Sequence, residues 1–291
     1  MTVLLATCAA MPGLTRDDRY LLQALEERGV PVEPAVWEDP HRDWGEAGLV
    51  LIRSAWDYSY RRDQFVEWSE RVARHTRLWN PPALVRWNTH KSYLCDLAEG
   101  GVPTVPTLLL PAGSEPHLEW LLAERGWDDA VLKAAVAQTG RYAMRTSLLD
   151  AASGQAHLDR LVPHEDMLLQ PYVDSVEGRG EVSLMYVDGE FTHAVRKRAA
   201  SGEFMVHHDY GGSERATRPT ADESRVAAQA LAAVPERALY ARVDLVGGPG
   251  GEPLVMELEV VEPELFFRFS QAAVEHLAAA VERELARPLT G

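Results

Sequence analysis

Two short segments near the C-terminus contain the residues best suited to chemistry. Arg242 and Asp244 stand two positions apart in the first segment, and Glu257 and Glu259 stand two positions apart in the second. Side chains alternate between the two faces of a β-strand, so each pair lies on one face. A hairpin of these two strands would gather three carboxylates and one guanidinium on one face and leave the intervening apolar residues for a core.

This arrangement predicts a metal site. Clustered carboxylates repel one another unless a cation lies between them, and hard oxygen ligands suit Mg²⁺. We therefore predict Asp244, Glu257 and Glu259 as metal ligands. The alternative is an edge hairpin with a solvated acidic face, but such a face usually mixes lysines among its acids. Here two more acids, Glu262 and Glu264, follow at once.

The overall charge restricts the partners. The chain has 44 acidic and 29 basic residues and a formal net charge of -15. Such an excess repels nucleic acid and anionic membranes, so a phosphate ligand needs a local basic pocket or a divalent cation. The candidates are Lys91, Lys133 and the run 196–198, centred on Lys197. Each has an alternative interpretation as an exposed helix or strand residue.

Several common enzyme signatures are absent. The loop after the first strand is no dinucleotide fingerprint, and the sequence lacks the phosphate-binding loop, the zinc-protease helix and the nucleophile elbow. His207 and His208 have no third soft ligand at a diagnostic spacing. Cys8 and Cys95 share no paired spacing, and the N-terminus lacks a basic region before its apolar residues. These features predict reduced thiols and a cytoplasmic protein.

The elements follow from apolar periodicity and turn residues. A strand, a helix and two more strands open the chain, which is typical of a small parallel α/β domain. The second half is rich in hairpins, one of them marked by Asp188-Gly189. The predicted strands span 3–7, 32–36, 49–53, 131–133, 167–170, 181–187, 190–198, 239–246 and 254–260, and the predicted helices span 17–28, 65–75, 90–98 and 271–285.

Three segments in this order resemble the ATP-grasp superfamily. They are Arg53-Ser54-Ala55-Trp56-Asp57-Tyr58, Trp87-Asn88 and Glu257-Leu258-Glu259. The resemblance extends over nearly the whole chain. It is nearest to the branch of glutathione synthetase and the ribosomal-protein-glutamate ligases, and within it to the cyclo-ligases that close O-ureido-D-serine to D-cycloserine.

The resemblance implies an α/β (α+β) protein with the ATP-grasp fold, in which two subdomains clasp ATP between antiparallel sheets. The expected domains are a small parallel α/β domain at 1–86, a central subdomain at 87–168 and a C-terminal subdomain with the metal site at 169–291. The segment 138–141, which contains Gly140, is the candidate lid.

The resemblance also implies roles for single residues. Lys197 would lie near the transferred phosphoryl group, and Arg242 would stabilise the tetrahedral intermediate. Arg53 suits bidentate binding of a substrate carboxylate, although it and Arg242 could instead be structural salt-bridge partners. The remaining assignments are Lys91 and Lys133 to the ATP phosphates, Gln170, Pro171, Tyr172 and Val173 to adenine, Glu181 to ribose, and Asp244, Glu257 and Glu259 to one or two Mg²⁺ ions, with Mn²⁺ as an alternative.

The implied activity is that of an ATP-dependent carboxylate–amine ligase. It would form an acyl phosphate on a small amino-acid-like substrate, and it could be an intramolecular cyclo-ligase that makes D-cycloserine from O-ureido-D-serine. The alternatives are an ATP-grasp kinase that stops after phosphorylation and a nucleotide-binding module without catalysis. A homodimer is common in this group. The sequence does not identify the carboxylate or the amine substrate.

Overall fold

The structure is a computed structural model that describes residues 1–138, 140–199 and 211–287. Within these ranges the strands form three sheets, one parallel at the N-terminus and two antiparallel. The α/β architecture predicted from the sequence is therefore confirmed. No helix in the described ranges is both long enough and apolar enough to cross a bilayer.

The N-terminal sheet has the strand order β2-β1-β3-β4 and is parallel throughout. Helix α1 covers one of its faces with Leu21 and Leu25, and α2 covers the other with Phe65 and Trp68. The bounds are β1 Thr2–Thr7, α1 Asp18–Glu27, β2 Val32–Val36, β3 Ala47–Ser54, α2 Arg62–Ala73 and β4 Leu78–Trp79.

The middle sheet has the order β5-β8-β6-β7 and is antiparallel. Leu118, Leu132 and Leu158 are fully buried in its core. The predicted domain boundary at 168 falls inside β8, because this strand must continue to Pro171 to pair with β6. The bounds are α3 Pro82–Asn88, α4 Tyr93–Glu99, β5 Leu108–Leu110, α5 Leu118–Arg125, β6 Asp129–Ala134, β7 Met144–Ser147, α6 Ala151–Leu161 and β8 Met167–Pro171.

The C-terminal sheet has the order β11-β10-β9-β12-β13 and is antiparallel. The predicted turn between β9 and β10 is confirmed, since Asp188 and Gly189 both have a positive φ, which two-residue hairpins require. The bounds are α7 Ser175–Gly178, β9 Glu181–Val187, β10 Glu190–Arg198, β11 Ser213–Thr217, α8 Ala221–Ala232, β12 Tyr240–Gly247, β13 Pro253–Glu259 and α9 Gln271–Ala286.

One hydrophobic core joins the N-terminal and C-terminal sheets. It contains Leu49 of β3, Tyr240 of β12 and Val274 of α9, all buried. The Tyr240 hydroxyl donates to the Ile52 carbonyl oxygen at 2.6 Å, which fixes β12 against the end of β3. Tyr240, Arg242 and Asp244 point to the same face of β12. The face that packs on the N-terminal domain therefore continues into the charged residues.

Candidate active site

The carboxylates predicted as metal ligands lie on an edge strand that is held in place along its outer side. The Asn88 side chain donates to the Leu258 carbonyl and accepts from the Val260 N–H, both at 2.8 Å. Asn80 donates to the Val260 carbonyl at 2.7 Å, and the Tyr93 hydroxyl accepts from the Leu258 N–H. Because these outward groups of β13 are satisfied, the strand presents its side chains in a fixed orientation.

The predicted three-carboxylate cluster forms. Asp244 lies opposite Glu257 in the β12–β13 ladder, and Arg242 lies opposite Glu259. Asp244, Glu257 and Glu259 each offer an oxygen atom within 4.8 Å of the other two. Three hard oxygen donors at this separation fit a divalent cation such as Mg²⁺. Their role as metal ligands remains a prediction.

Cationic side chains contact each carboxylate of this cluster. Lys91 contacts Glu257, and Arg242 bridges Asp244 at 3.0 Å and Glu259 at 2.5 Å. Lys197 adds a second contact to Asp244 at 3.2 Å. Of these cations, Lys91 and Lys197 are expected to contact phosphate, and Arg242 is expected to face the tetrahedral intermediate. When a metal ion and ATP bind, these side chains can therefore exchange partners. The carboxylates would then contact the metal, and the lysines would contact the phosphates.

The carboxylates have different pKa values. Burial opposes the ionisation of Asp244 and Glu257, but Arg242 and Lys197 lower the pKa of Asp244, and Lys91 and Lys133 lower that of Glu257 to about 2. Burial raises the pKa of Glu259 to about 8 despite Arg242. At neutral pH the cluster then has one protonated member, and a divalent cation would displace that proton.

The two lysines predicted to contact phosphate come from different elements. Lys133 is on β6, and Lys91 lies in the turn before α4, where its N–H donates to the Ala135 carbonyl at 2.8 Å. The prediction that Lys91 opens a helix is wrong, because α4 begins at Tyr93. Burial and then the charge of Lys91 lower the pKa of Lys133 to about 8.

The segment predicted to line adenine is the end of β8 and the residues after it. Gln170 is buried and donates to the Thr107 hydroxyl at 2.8 Å, while the Tyr172 hydroxyl donates to Glu177 at 2.6 Å. Val173 is half-buried against a small apolar cluster that includes Met256 of β13. The segment therefore lies between the middle sheet and the strand that carries Glu257.

Only one residue of the basic run 196–198 faces this site. Lys197 is buried between Asp244 and Glu181, which is the residue assigned to ribose. Arg196 points to the opposite face and pairs with Glu223 at 3.6 Å, and Arg198 is exposed. The alternation of side chains along β10 separates Lys197 from Arg196 and Arg198.

Arg53 forms a buried ion pair, as expected for the alternative role of a structural salt-bridge partner. Its side chain is fully buried, pairs with Asp18 at 2.8 Å and lies 4.8 Å from the centre of the Tyr240 ring. Its Nη2 atom donates to the Pro263 carbonyl at 2.7 Å. A guanidinium held this way supports the loop after β13, and direct contact with a substrate carboxylate stays an untested prediction.

The sequence interpretation assigned no role to Glu262, which lies in this loop. The Glu262 carboxyl group accepts hydrogen bonds from the Gln138 amide at 2.5 Å and from the Tyr58 hydroxyl. Its backbone carbonyl accepts from the Trp56 indole N–H. The signal in the sequence was the acidic segment 262–264 directly after the strand of the predicted metal ligands, but its partners lie far away along the chain.

Part of the candidate lid lies near the same place. Gln138 contacts Glu262, and the Arg141 guanidinium lies 5.5 Å from the centre of the Tyr60 ring. Thr139 of that segment and the pair His207-His208 fall outside the described residues.

Comparisons with known proteins agree with this geometry. Residues 3–80 match the family described as D-cycloserine synthetase DcsG, N-terminal domain. The cycloserine biosynthesis protein DcsG of Streptomyces lavendulae is 34% identical over 292 residues, which cover 97% of this chain and 98% of the relative.

Solved structures show the same fold. The crystal structure of D-cycloserine synthetase DcsG superimposes with a TM-score of 0.89 at 34% identity, covering 98% of this chain and 100% of that one. The ATP-grasp ligase PsnB, solved with Mg, ADP and a variant of its minimal precursor, superimposes with a TM-score of 0.68 at 13% identity, covering 97% and 98%. The second likeness concerns the fold alone.

Proposed function

The chain belongs to the family of D-cycloserine synthetase DcsG, within the ATP-grasp ligases, and we propose that it closes O-ureido-D-serine to D-cycloserine. Family membership supports an ATP-dependent ligase, rather than a kinase that stops after phosphorylation or a module without catalysis, and the carboxylate cluster supports the use of Mg²⁺. The observation that carries the proposal is the site itself. Three carboxylates, each with an oxygen atom within 4.8 Å of the others, lie beside Lys91 and Lys197, which can pass to phosphate groups.

ATP would bind between the middle and C-terminal sheets. In the proposed arrangement Lys91 and Lys133 contact its phosphates, and Glu181 contacts the ribose. The segment from Gln170 to Val173 would line the adenine together with the half-buried side chain of Met256. The apolar cluster beside Val173 supports this placement, because a purine ring needs an apolar surface on its faces.

The metal would bind at Asp244, Glu257 and Glu259. When bound there, one or two Mg²⁺ ions would offset the charge of the ATP phosphates, and Mn²⁺ is an alternative ion. Lys197 and Arg242, released from their contacts with these carboxylates, would then be free to face the reacting groups. The ion pairs of Lys197 with Asp244 and of Arg242 with Glu259 support this exchange.

The ligase chemistry would take two steps, and hydrolytic loss of the carbamoyl group would follow. The substrate carboxylate attacks the γ-phosphorus of ATP, which forms an acyl phosphate and releases ADP. The nitrogen bonded to the side-chain oxygen of the same substrate then attacks the acyl carbon, which forms the C–N bond, breaks the bond to phosphate and releases a proton to solvent. Water would afterwards cleave the bond between this nitrogen and the carbamoyl carbon, which releases carbamate, the source of CO2 and NH3, and leaves D-cycloserine. Lys197 would stabilise the transferred phosphoryl group and Arg242 the tetrahedral intermediate. Water must be excluded while the acyl phosphate exists, because it would hydrolyse this intermediate. The segment 138–141 is the proposed lid.

The remaining properties follow from charge and from the reaction. The net charge of -15 supports a small-molecule substrate and argues against nucleic acid and membrane surfaces as partners. A cytoplasmic location suits an enzyme that consumes ATP. A homodimer stays a prediction.

The test is ADP release with MgATP and a panel that contains O-ureido-D-serine, amino acids and dipeptides, each with and without an added amine. Cyclo-ligation requires ADP release with O-ureido-D-serine alone and D-cycloserine in the mass spectrum. ADP release only when an amine is added would indicate an intermolecular ligase. No ADP release with O-ureido-D-serine would refute the proposed substrate.

A further inference from the structure

Glu262 differs from the other buried acids in its partners. The described residues include seven buried carboxylates, Asp17, Asp18, Glu181, Glu223, Asp244, Glu262 and Glu284. Six of them form an ion pair with a lysine or arginine. The side-chain contacts of Glu262 within the described residues are the neutral groups of Gln138 and Tyr58. A buried carboxylate without a cation is costly, which is why native proteins pair almost all of them.

Among the described residues, the surroundings of Glu262 offer no spare cation. Lys91 is the cation that lowers its pKa, but the Lys91 ammonium is already in contact with Glu257. Burial is the larger effect and raises the pKa of Glu262 to about 7. The described part of the site therefore lacks one positive charge at this carboxyl group.

A second unsatisfied atom lies beside it. The Oε1 atom of Gln138 is buried and accepts no hydrogen bond from the described residues, while the Nε2 atom of the same amide donates to Glu262. A missing donor and a missing cation therefore occur at adjacent groups. An ammonium group supplies both, because it carries one positive charge and three N–H donors.

The position of Glu262 connects this pair to the reaction. Tyr58 follows β3, Gln138 follows β6 and Glu262 follows β13, so the three residues meet where the three sheets approach one another. The carboxylates of Glu257 and Glu259 lie near enough to influence Glu262 electrostatically. Arg53 and Trp56 fix the backbone of its loop.

We propose that Glu262 and Gln138 bind the α-ammonium group of the substrate and so select an amino acid over a carboxylic acid that lacks the amino group. This inference rests on the proposed function, because it assumes that the substrate carboxylate is activated at the neighbouring metal cluster. Glu262 is then a residue that determines specificity, and Tyr58 holds its carboxylate in position.

The experiment compares two ligands that differ only in the amino group. O-ureido-D-serine and 3-(ureidooxy)propanoic acid are titrated calorimetrically in the presence of Mg²⁺ and a non-hydrolysable ATP analogue, and D-alanine and propanoate form a second pair. The wild type is compared with Glu262→Gln, which keeps the size and removes the charge. Glu264→Gln is the matched control on the same loop, since Glu264 already pairs with Arg268 at 2.6 Å.

We expect the wild type to bind the amino compound more tightly, and Glu262→Gln to lower this preference by about 30-fold or more. Binding of the ATP analogue should change less than about twofold, and Glu264→Gln should keep the wild-type preference. A purely structural role would weaken both members of a pair equally, so the ratio separates recognition from folding.

Three results would overturn the inference: no preference in the wild type, an unchanged preference in Glu262→Gln, or no binding of either amino compound. The proposed function fails separately. If the wild type prefers D-alanine over propanoate but neither binds nor turns over O-ureido-D-serine, cyclo-ligation of that compound is refuted. Recognition of the ammonium group is then judged on the D-alanine pair alone.

Discussion

Replacement of Lys133 by methionine should weaken ATP binding and stabilise the ligand-free protein at the same time. The Lys133 ammonium is half-buried, and burial followed by repulsion from Lys91 lowers its pKa from 10.5 to about 8. A difference of this size corresponds to no more than about 3 kcal/mol against the folded state. The value is an upper limit, because partial contact with solvent screens the charge.

The sign of the effect follows from proton binding. The unfolded chain holds the Lys133 proton more tightly than the folded chain, so the cost is complete below pH 8 and disappears as the pH rises towards 10.5. At pH 7 the methionine variant should therefore unfold at a higher urea concentration than the wild type. In contrast, losing a charged contact to phosphate should raise the Kd of ATP about 10- to 100-fold.

Calorimetric titration with Mg²⁺ and a non-hydrolysable ATP analogue at pH 7 and pH 9 measures the second effect. Since Lys133 loses its proton near pH 8, the wild-type affinity should fall about tenfold over this range. Lys133→Arg keeps the charge and should retain its affinity at both values. Glu259 also titrates near pH 8 but is present in all three proteins, so the difference between them isolates Lys133.

Equal affinity of the wild type and Lys133→Met for the ATP analogue would refute the phosphate role. A methionine variant that is less stable than the wild type at pH 7 would refute the argument from burial. Both results are independent of the substrate, so they test the nucleotide site even if cyclo-ligation fails.

Three further predictions concern other parts of the site. Glu257→Gln should keep the fold and lower Mg²⁺-dependent ADP release by about 100-fold or more, whereas the exposed Glu252→Gln should not; equal activity would remove the cluster from the reaction. Arg53→Ala should lower the free energy of unfolding in urea by about 3–5 kcal/mol, because it leaves Asp18 buried and unpaired, and a smaller loss after combination with Asp18→Asn would support this cause. Glu262→Gln should be more stable than the wild type at pH 8 by up to about 3 kcal/mol and not at pH 4, since the folded-state pKa of Glu262 is raised from 4.5 to about 7; identical urea midpoints at pH 8 would contradict the unpaired charge.

Much of the fold was predictable because its signals are local. The alternation in Arg242–Asp244 and Glu257–Glu259, and the Asp188-Gly189 turn, determine strand faces and a hairpin from neighbouring residues alone. The start of α4 was not predictable in this way, because residues 90–92 form a turn in which the His90 and Lys91 carbonyls accept from the N–H groups three positions on, and apolar periodicity does not distinguish such a turn from the first turn of a helix. The end of β8 likewise depends on pairing with β6.

The sequence by itself therefore determined the α/β class and the positions of most strands along the chain. It also determined the three carboxylates of the cluster, since residues two apart on a strand must share a face. The tertiary structure alone decided how the charges pair. It buried Arg53 against Asp18 and set Lys91 against Glu257. It also placed Gln138 against Glu262 and left Glu262 without a cation among the described residues. These contacts join residues that are 35, 166 and 124 positions apart, so no local periodicity can specify them. They depend on how the three sheets pack, and the hydrophobic core shared by the N-terminal and C-terminal sheets fixes part of that packing.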